Sequence, residues 1–316
     1  MSSTKVAVEV DGRTLTLSNL DKVLYPEAHF SKAEVLDYYA KVADAMVPHL
    51  TNRPVTFRRF PDGVNGETFF EKQLPRHAPE WVRSMKVHSP SGRKGRDTID
   101  YPLIGDRPSL LWAANLAALE LHVPLWHREG DQHPPTEPDH LVIDLDPGPG
   151  TTVVECCRIA LLARDRLSAG DHAVAKTSGS KGLQVYAPMK GASWNDIREE
   201  VLALAQELEE QLPDHVVSTQ EKVLRKGKVL IDWSQNHPAK TTVAVYSLRA
   251  TPLPTASTPV TWDEVAACAR SEDPTLLRFL SSDVIKRLDK HGDLFAPLLA
   301  SRPPKAKPRR TAKKST

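Results

Sequence analysis

The spacing of apolar residues changes along the chain between a helical period and an extended one. After the capping box that begins at Ser31, apolar residues recur every three or four positions, which predicts a helix ending near Pro48. The same signals predict further helices over residues 109–122, 152–167 and 193–212, another after the capping box at Thr261, and short helices up to residue 299.

Short apolar runs between turn-forming residues predict β-strands. They cover residues 54–60, 67–72, 141–146, 228–233 and 241–248, with two further strands on either side of residues 178–182. Residues 83–97 are polar and basic, and they predict a loop. Because short turns join several of the strands, we expect an α/β chain of the α+β kind with an at least partly antiparallel sheet.

The composition is that of an ordinary globular protein. Of the 316 residues, 40% are hydrophobic and 26% are charged, which excludes disordered and collagen-like classes. The longest apolar stretch, residues 110–126, is interrupted by Asn115 and Glu120, so we expect no membrane span. The amino terminus has no apolar signal core, and three cysteines are too few for a disulfide framework, so we expect a reducing cytoplasm.

The formal net charge of +2 conceals a basic tail. Residues 301–316 hold seven lysines and arginines and no acid, which leaves a net charge of −5 on residues 1–300. The tail is rich in proline and lacks apolar periodicity, so we predict one folded domain over residues 1–300 followed by a disordered basic tail. If the body binds nucleic acid, its basic residues must be concentrated on one face.

Three aspartates are candidate metal ligands. Asp144 and Asp146 alternate on one predicted strand, so both carboxylates lie on the same face. A pair of acids that caps a turn is the plain alternative, but Asp232 lies in a second apolar strand, where an unpaired carboxylate is costly. Three carboxylates on neighbouring strands suit two Mg²⁺ or Mn²⁺ ions and phosphoryl transfer.

A glycine-rich turn at residues 178–182 is a candidate phosphate site. Small residues let backbone N–H groups approach a phosphate, and Lys181 supplies positive charge. The spacing is not that of a Walker loop, and a plain hairpin turn explains it about equally well. Arg249 ends another strand and could equally be a surface arginine, whereas His122 reads as a histidine at the end of a helix.

Two adjacent phenylalanines are a candidate stacking surface. Neighbouring strand residues face opposite sides, so we expect one of Phe69 and Phe70 to face outward. An exposed phenylalanine near basic residues makes a platform for a nucleic-acid base, although both rings could also lie in the core.

Taken together, several segments resemble one family. These segments are LVIDLDPGPG, TSGSKGLQVYAP, KVLIDWSQN and KTTVAVYSLRA, preceded by DKVLYP, FFEKQ and LHVPLW. In this order they resemble the polymerase domain of bacterial ligase D, a member of the archaeo-eukaryotic primase superfamily, over residues 15–294. The resemblance implies a two-lobed primase-polymerase fold whose catalytic sheet is like that of an RNA-recognition motif.

The resemblance also assigns roles to individual residues. It implies a metal site of Asp144, Asp146 and Asp232, a triphosphate segment of Ser178, Ser180 and Lys181, nucleotide contacts from Gln235, Arg249 and His122, base stacking by Phe69 and Phe70, 5′-phosphate binding by Lys22 and Lys32, and a DNA contact from Arg225 in the loop over residues 222–228.

The activity implied is template-dependent primer extension and gap filling. The family resemblance implies use of Mn²⁺ or Mg²⁺, a preference for ribonucleotides, and action on gapped or broken DNA with a 5′-phosphate, beside Ku and a DNA ligase in non-homologous end joining. It implies a cytoplasmic protein associated with the nucleoid. Ligase D chains normally continue into ligase and nuclease domains, whereas this sequence ends in a basic tail, as a stand-alone paralogue or an excised domain would.

Two other functions remain open at the level of sequence. A metal-dependent nuclease could use the same three acids, and a non-catalytic module could bridge DNA ends after its metal site had decayed. The presence of all three aspartates speaks against decay, because acids held close together are costly to retain. Excision-repair gap filling, de novo priming and the oligomeric state are also open.

Overall fold

Two β-sheets with helices packed on them organise the chain. The computed structural model describes residues 5–88, 98–129, 135–189 and 191–300. The strands are β1 (Lys5–Val10), β2 (Arg13–Ser18), β3 (Val23–Tyr25), β4 (Phe30–Ser31), β5 (Thr56–Arg59), β6 (Phe69–Glu71), β7 (Ser84–His88), β8 (Thr98–Pro102), β9 (Ala118–Val123), β10 (His140–Pro147), β11 (Val174–Thr177), β12 (Leu183–Pro188), β13 (Val216–Val217), β14 (Val229–Asp232), β15 (Thr242–Val243) and β16 (Pro259–Val260). The helices are α1 (Lys32–Leu50), α2 (Arg107–Asn115), α3 (Val153–Arg166), α4 (Trp194–Gln211), α5 (Trp262–Ser271) and α6 (Ser281–His291).

The larger sheet has six strands in the order β13-β14-β10-β12-β11-β16. All its pairs are antiparallel except β13 with β14. The order along the chain from β10 is strand, helix α3, two strands, helix α4 and strand β14. With β14-β10-β12-β11 adjacent in space, this is the split βαβ arrangement that RNA-recognition motifs share. The expected α+β class is confirmed.

One face of the larger sheet is apolar and covered by helices. Leu141, Ile143 and Leu145 of β10 are fully buried in a cluster with residues of α3, α4 and α5. Because side chains alternate along a strand, Asp144 and Asp146 lie on the opposite, uncovered face. The prediction that the two carboxylates share one face, and Leu145 the other, agrees with this arrangement.

The smaller sheet has the order β15-β9-β5-β6 and forms a second lobe with α1 and α2. Its apolar cluster includes Tyr39 of α1, Phe57 of β5, Trp112 of α2 and Leu119 of β9. The capping box at Ser31 begins α1 as predicted, and Pro48 lies inside the last turn of that helix rather than at its end. No helix among the residues described above combines the length and apolar character that crossing a membrane requires.

The predicted helix over residues 109–122 is wrong in its second half. Helix α2 ends at Asn115, Ala117 adopts a φ of 56°, and β9 follows at Ala118. A positive φ is incompatible with a continuing right-handed helix, so the apolar run continues as a strand. As a consequence, His122 is a strand residue and not the end of a helix.

Two loop and strand boundaries also differ from expectation. The segment over residues 83–97 was predicted as a loop, but Ser84–His88 pairs with Thr98–Pro102 as a hairpin, while residues 89–97 lie outside the described part of the chain. In β7 the buried Met85 lies between less buried neighbours, the alternation of a half-covered strand. In the predicted strand over residues 241–248, only Thr242–Val243 is paired as a strand, and Tyr246 has a φ of 64°.

A candidate metal centre beside a basic cavity

Strand register brings the three aspartates together. Asp144 of β10 is directly opposite Asp232 of β14, and Asp146 lies two residues further along β10. One carboxylate oxygen from each lies within 4.8 Å of the others. Asp232 is buried, whereas Asp146 is exposed. A cluster of oxygen donors with one open side is the kind of site that hard divalent cations select.

The electrostatics of this cluster favour a bound cation. Burial, and then the neighbouring charges of Asp146 and Asp232, raise the pKa of Asp144 to about 7. Burial and the Asp232 charge also raise the pKa of Asp146. Three ionised carboxylates at this separation repel one another, and a divalent cation between them removes that cost. The donor set therefore fits Mn²⁺ or Mg²⁺.

Amide side chains hold two of the carboxylates in place. Gln184 Nε2 donates to Asp144 Oδ1 over 3.0 Å, and Gln220 Nε2 donates to Asp232 Oδ1 over 2.7 Å. Gln235, which was assigned to the nucleotide, donates from Nε2 to the other oxygen of Asp232 over 2.9 Å. Gln235 therefore positions a metal-ligand candidate as well as lining the cavity beside it.

A buried lysine supports this arrangement and was missed at the level of sequence. Lys176 of β11 is 1% exposed, and its Nζ donates to Gln184 Oε1 over 2.5 Å and to Ser257 Oγ over 2.7 Å. Burial lowers the pKa of Lys176 to about 7 against the opposing effect of Asp144. The one sequence signal was a polar residue, Gln184, inside an apolar strand.

A cavity of about 400 Å³ opens beside the acids. Most of the predicted nucleotide-site residues share it, and its wall includes His122, Asp144, Asp146, Ser178, Ser180, Lys181, Arg225, Gln235 and Arg249. Asp144 and Asp146 therefore line the same cavity as two arginines and a lysine. This juxtaposition of metal ligands and cations suits a triphosphate, which needs both.

The glycine-rich turn forms one side of the cavity. The Ser178 hydroxyl accepts hydrogen bonds from the backbone N–H groups of Ser180 and Gly182, so it stabilises the turn itself. Gly179 has a φ of 71°, and a Cβ there would lie 2.6 Å from the Ala256 carbonyl carbon, so only glycine fits. Lys181 is exposed on this turn, with its charge free to meet an anion.

A buried glutamate joins two residues of the opposite wall. Glu120 of β9 accepts a hydrogen bond from His122 Nε2 over 3.0 Å and forms an ion pair with Arg249 Nε over 3.3 Å. Burial alone would raise its pKa, but these partners and the Ala250 N–H lower the pKa of Glu120 to about 2. Sequence reasoning missed Glu120 because the segment was read as a helix.

The predicted DNA contact Arg225 lies on the short 3₁₀ turn Lys222–Arg225. Its Nη2 donates to the backbone and side-chain oxygens of Gln220, each over 2.8 Å. A Cβ at Gly148 would lie 1.8 Å from the Arg225 carbonyl oxygen, so this turn packs directly against the segment that follows Asp146. Arg225 is thereby linked through Gln220 to Asp232.

Both predicted stacking residues are exposed, rather than one of the two. Phe69 is 39% and Phe70 58% exposed on β6, which is the edge strand of the smaller sheet. The expectation was one exposed ring. Both rings are exposed because an edge strand of only three residues leaves both of its faces open. The Phe70 ring centroid is 6.3 Å from that of His122, so an aromatic surface borders the cavity.

Lys22 and Lys32 form a separate basic site that does not line this cavity. The backbone N–H of Lys32 donates to the Lys22 carbonyl over 2.8 Å, which makes the two residues neighbours. Lys32 is 5% exposed with Nζ on the Ser18 carbonyl, whereas Lys22 pairs with Asp62 over 2.6 Å. Burial, and then the charges of Lys22 and Arg59, lower the pKa of Lys32 to about 8.

A second, larger cavity of about 850 Å³ adjoins the first. It shares the wall formed by Pro147, Ser180, Lys181 and Gly182, but the three aspartates do not line it. Its lining is more apolar than polar. Of the two cavities, only the smaller is lined by candidate metal ligands, Asp144 and Asp146.

Comparisons with known proteins identify related sequences. The family model described as LigD, primase-polymerase domain, matches residues 31–295. The multifunctional non-homologous end joining protein LigD of Mycolicibacterium smegmatis is 47% identical over 91% of this chain, and the bifunctional LigD of Bacillus subtilis is 30% identical over 89%. The chain spans 36% and 43% of the lengths of these relatives.

A solved structure gives the same result for the fold. The polymerase domain from Mycobacterium tuberculosis ligase D, in complex with DNA, superposes with a TM-score of 0.83 at 40% sequence identity. The match covers 92% of this chain and 99% of that one.

Proposed function

The chain belongs to the family of LigD primase-polymerase domains, and we propose that it is a template-dependent polymerase that extends primers and fills gaps in broken DNA. As a member of this family it is a nucleotidyltransferase. The observation that carries the proposal is a cluster of three carboxylates, of which Asp144 and Asp146 line the same cavity as Lys181 and Arg249. A nucleoside triphosphate needs metal ligands and cations in the same place.

The proposed reaction joins a primer 3′-hydroxyl to the α-phosphorus of a nucleoside triphosphate, and pyrophosphate leaves. Asp144, Asp146 and Asp232 would hold two Mn²⁺ or Mg²⁺ ions, which supply activation of the attacking oxygen and neutralisation of the triphosphate. Lys181 and Arg249 bind the phosphates from the cavity wall. In such a transfer, catalysis comes mainly from positioning and charge neutralisation.

The sugar and the bases of the substrate would meet the aromatic border of the cavity. His122 lines the cavity and would meet the sugar, and the exposed Phe69 and Phe70 would offer stacking surfaces for the incoming and template bases. We propose a preference for ribonucleotides, because His122 can hydrogen-bond a sugar hydroxyl. The proximity of Phe70 to His122 supports this placement.

The DNA substrate is proposed to be a gap or an end with a 5′-phosphate. Lys22 and Lys32 would bind that phosphate, and Arg225 would contact DNA near the acids. The solved Mycobacterium tuberculosis domain is in complex with DNA, and the curated relatives are end-joining proteins. We therefore place the chain in end joining on nucleoid DNA in the cytoplasm, beside Ku and a DNA ligase, with residues 301–316 as a basic tail after the domain.

A gap-filling assay tests the proposal. A labelled primer annealed to a gapped template is incubated with Mn²⁺ and either ribo- or deoxyribonucleoside triphosphates, with and without a 5′-phosphate on the downstream strand. We expect the primer to lengthen, faster with ribonucleotides and with the phosphate present. Shortening of the primer without nucleotides would identify a nuclease, and DNA binding without extension would identify an end-bridging module.

A matched pair of variants connects the activity to the site. Asp146→Asn removes a carboxylate of the cluster, whereas Asp165→Asn removes an exposed carboxylate of α3 that pairs with Arg164. Extension should disappear in the first variant and persist in the second. Equal activity in both variants would contradict the placement of the chemistry at the cluster.

A further inference from the structure

A buried carboxylate lies behind the cavity wall and has no role in the reaction proposed above. Glu120 points from β9 and its side chain is 2% exposed. It is not one of the residues that line the cavity, but His122 and Arg249, which contact it, are. A substrate in the cavity therefore meets the partners of Glu120 and not Glu120 itself.

Glu120 collects donors from three separate segments of the fold. His122 Nε2 of its own strand lies 3.0 Å away, and the Ala250 N–H donates over 3.0 Å. Arg249 Nε forms the ion pair at 3.3 Å, and Arg58 Nη1 of β5 approaches both carboxylate oxygens at 3.4 Å. One carboxylate thus ties the segment over residues 249–250 to the smaller sheet.

We propose that Glu120 is a positioning residue that holds His122 and Arg249 as one unit against the nucleotide, and that it selects the proton position on the His122 ring. The inference rests on the proposed nucleotide-binding function of the cavity. It adds a residue that acts on the substrate only through these two neighbours.

The proton position follows from the chemistry of the pair. An ionised carboxylate can only accept a hydrogen bond, so His122 Nε2 must carry the proton in their contact. In the neutral ring Nδ1 is then the acceptor, and within the described residues it has no hydrogen-bond partner. An acceptor at this place suits a sugar hydroxyl of the nucleotide, which is a donor. A carboxylate that fixes a histidine tautomer in this way is an established device of active sites.

Arg249 is fixed at two points of its guanidinium group. Its Nε faces Glu120, and its Nη1 donates to the Ser178 carbonyl over 2.7 Å. The described residues leave Nη2 without a partner, so this nitrogen remains for a phosphate oxygen. The glycine-rich turn and β9 are therefore connected through the same arginine, and loss of Glu120 would release one of its two anchors.

The variant Glu120→Gln tests this role with little change in volume. An amide has one oxygen and no charge, so it cannot accept from both His122 and Ala250, and it loses the ion pair with Arg249. Its NH₂ group would favour the opposite His122 tautomer. We expect the dissociation constant of ATP with Mn²⁺ to rise about tenfold, as for other residues that orient a ligand-binding side chain. In the ¹⁵N spectrum of the histidine-labelled variant near pH 8, His122 should no longer be in its Nε2–H form. The His122 signal is assigned by its absence from the spectrum of His122→Asn.

The matched control is Glu264→Gln. Glu264 lies in the first turn of α5 and forms an ion pair with Arg287, and neither residue lines the cavity, so this variant removes an arginine-paired carboxylate elsewhere in the fold. Nucleotide affinity and the His122 signal should both be unchanged in this variant. An equal loss of affinity in both variants would show a general structural effect and overturn the inference.

Two measurements separate this inference from the proposed function. The ¹⁵N spectrum of the wild type needs no variant, and a neutral His122 protonated on Nδ1 would refute the tautomer assignment even if Glu120→Gln fails to fold. If the wild type binds ATP but does not extend a primer, the polymerase proposal fails while the binding and tautomer data still test Glu120.

A double variant tests whether Glu120 acts through His122. In a His122→Ala background, Glu120→Gln should reduce the affinity for ATP less than it does in the wild type, and full additivity of the two losses would contradict action through His122.

Discussion

Two clusters of charged residues can be compared, one of three aspartates and one of two lysines. In the larger sheet, burial and neighbouring acids raise the pKa of Asp144 to about 7. At the start of α1, burial and neighbouring cations lower the pKa of Lys32 to about 8. In each cluster the protein holds charges that oppose one another, and a ligand of the opposite sign relieves the cost. The first cluster suits metal ions and the second suits a phosphate.

The two clusters differ in how strongly the fold fixes them. Asp144 and Asp232 are opposed by strand register, and amide donors hold both. Lys32 is held by one carbonyl, and Lys22 is already paired with the carboxylate of Asp62. The acid cluster therefore depends on its ligand for neutralisation, whereas the lysine pair is partly neutralised by the protein. We expect a larger functional effect when the acids are changed.

The largest effect is expected from Asp144→Ala, Asp146→Ala or Asp232→Ala. Each variant removes a candidate metal ligand, so primer extension should fall by about a thousandfold or more, while folding and DNA binding remain nearly intact. Single-turnover extension and DNA-binding titrations measure the two properties separately. Strong residual synthesis by Asp232→Ala would rule out a site built from three carboxylates.

The same cluster predicts a pH dependence of stability in metal-free buffer. The unfolded chain releases the Asp144 proton near the ordinary pKa of 3.8 and the folded chain near 7. The folded state therefore binds more protons in this range, and the free energy of unfolding should fall as the pH rises from about 4 to about 7. Denaturant titrations of wild type and Asp144→Asn check this, since the variant should lack that part of the slope and Mn²⁺ should restore stability to the wild type.

The face on which Asp144 and Asp146 lie was predictable because the sequence pattern of their strand is local. Alternation in β10 places Asp144 and Asp146 on one face whatever the rest of the fold does. The pairing of Asp144 with Asp232 is a contact between distant segments, which local alternation does not determine. The grouping of the three acids was a hypothesis from the sequence, and the resemblance to a family supported it. The break after α2 depends on the backbone at Ala117, whose positive φ no residue pattern announces.

The supporting residues were not predictable for a similar reason. Glu120 and Lys176 gain their roles from partners that are distant in sequence, such as Arg249 and Ser257. A charged residue in an apolar strand signals that some partner exists, but it does not identify which one. Sequence therefore located the residues that line the cavity better than those that hold them in place.

The next largest effect is expected at the cations that face the acid cluster. Arg249→Ala should weaken nucleotide binding by about tenfold to a hundredfold, because a charge-assisted contact contributes about 1.5 to 3 kcal/mol. Lys181→Ala should have a smaller effect, since exposed Lys181 has no second role in the wall, whereas Arg249 also holds the Ser178 carbonyl. The dependence of extension rate on nucleotide concentration measures both. If neither variant alters it, the nucleotide cavity is misplaced.

A smaller effect is expected at the lysine pair. Removing the 5′-phosphate from a gapped substrate should weaken binding to the wild type but hardly affect the double variant Lys22→Ala, Lys32→Ala. We expect about a tenfold difference, less than two full charge-assisted contacts, because Asp62 already neutralises part of the Lys22 charge. An equal loss of affinity in both proteins would refute the assignment of Lys22 and Lys32 to the 5′-phosphate. The lysine cluster would then have no ligand corresponding to the metal ions of the acid cluster.

The lysine pair should also lose affinity for the phosphate at a lower pH than a simple surface lysine would. Lys32 loses its proton near pH 8 in the folded protein, so affinity for the 5′-phosphate should fall as the pH rises above about 8. Arginine stays charged throughout, and Lys32→Arg should remove this decline. Fluorescence anisotropy with phosphorylated and unphosphorylated substrates gives the comparison, and the same decline in Lys32→Arg would exclude Lys32 as its source.

The smallest effect on catalysis is expected from a third group of like charges, the basic tail over residues 301–316. These residues lie outside the described part of the chain, so their seven positive charges are considered from the sequence alone. We propose that they bind DNA phosphates without entering the cavity. Each phosphate contact should steepen the slope of log affinity against log salt by about 0.9. If only some of the seven charges contact phosphates, the slope should steepen by about two to four in total.

Truncation after Ala300 separates this contribution from the two folded clusters. The truncated protein should bind DNA more weakly at low salt and show a flatter salt slope, while its turnover on saturating substrate is unchanged, because no residue of the cavity is removed. A solubilising extension or a docking peptide for another repair protein would leave the slope as it was. Anisotropy over a salt series, with full-length and truncated protein side by side, therefore decides whether the charges of residues 301–316 add affinity for DNA.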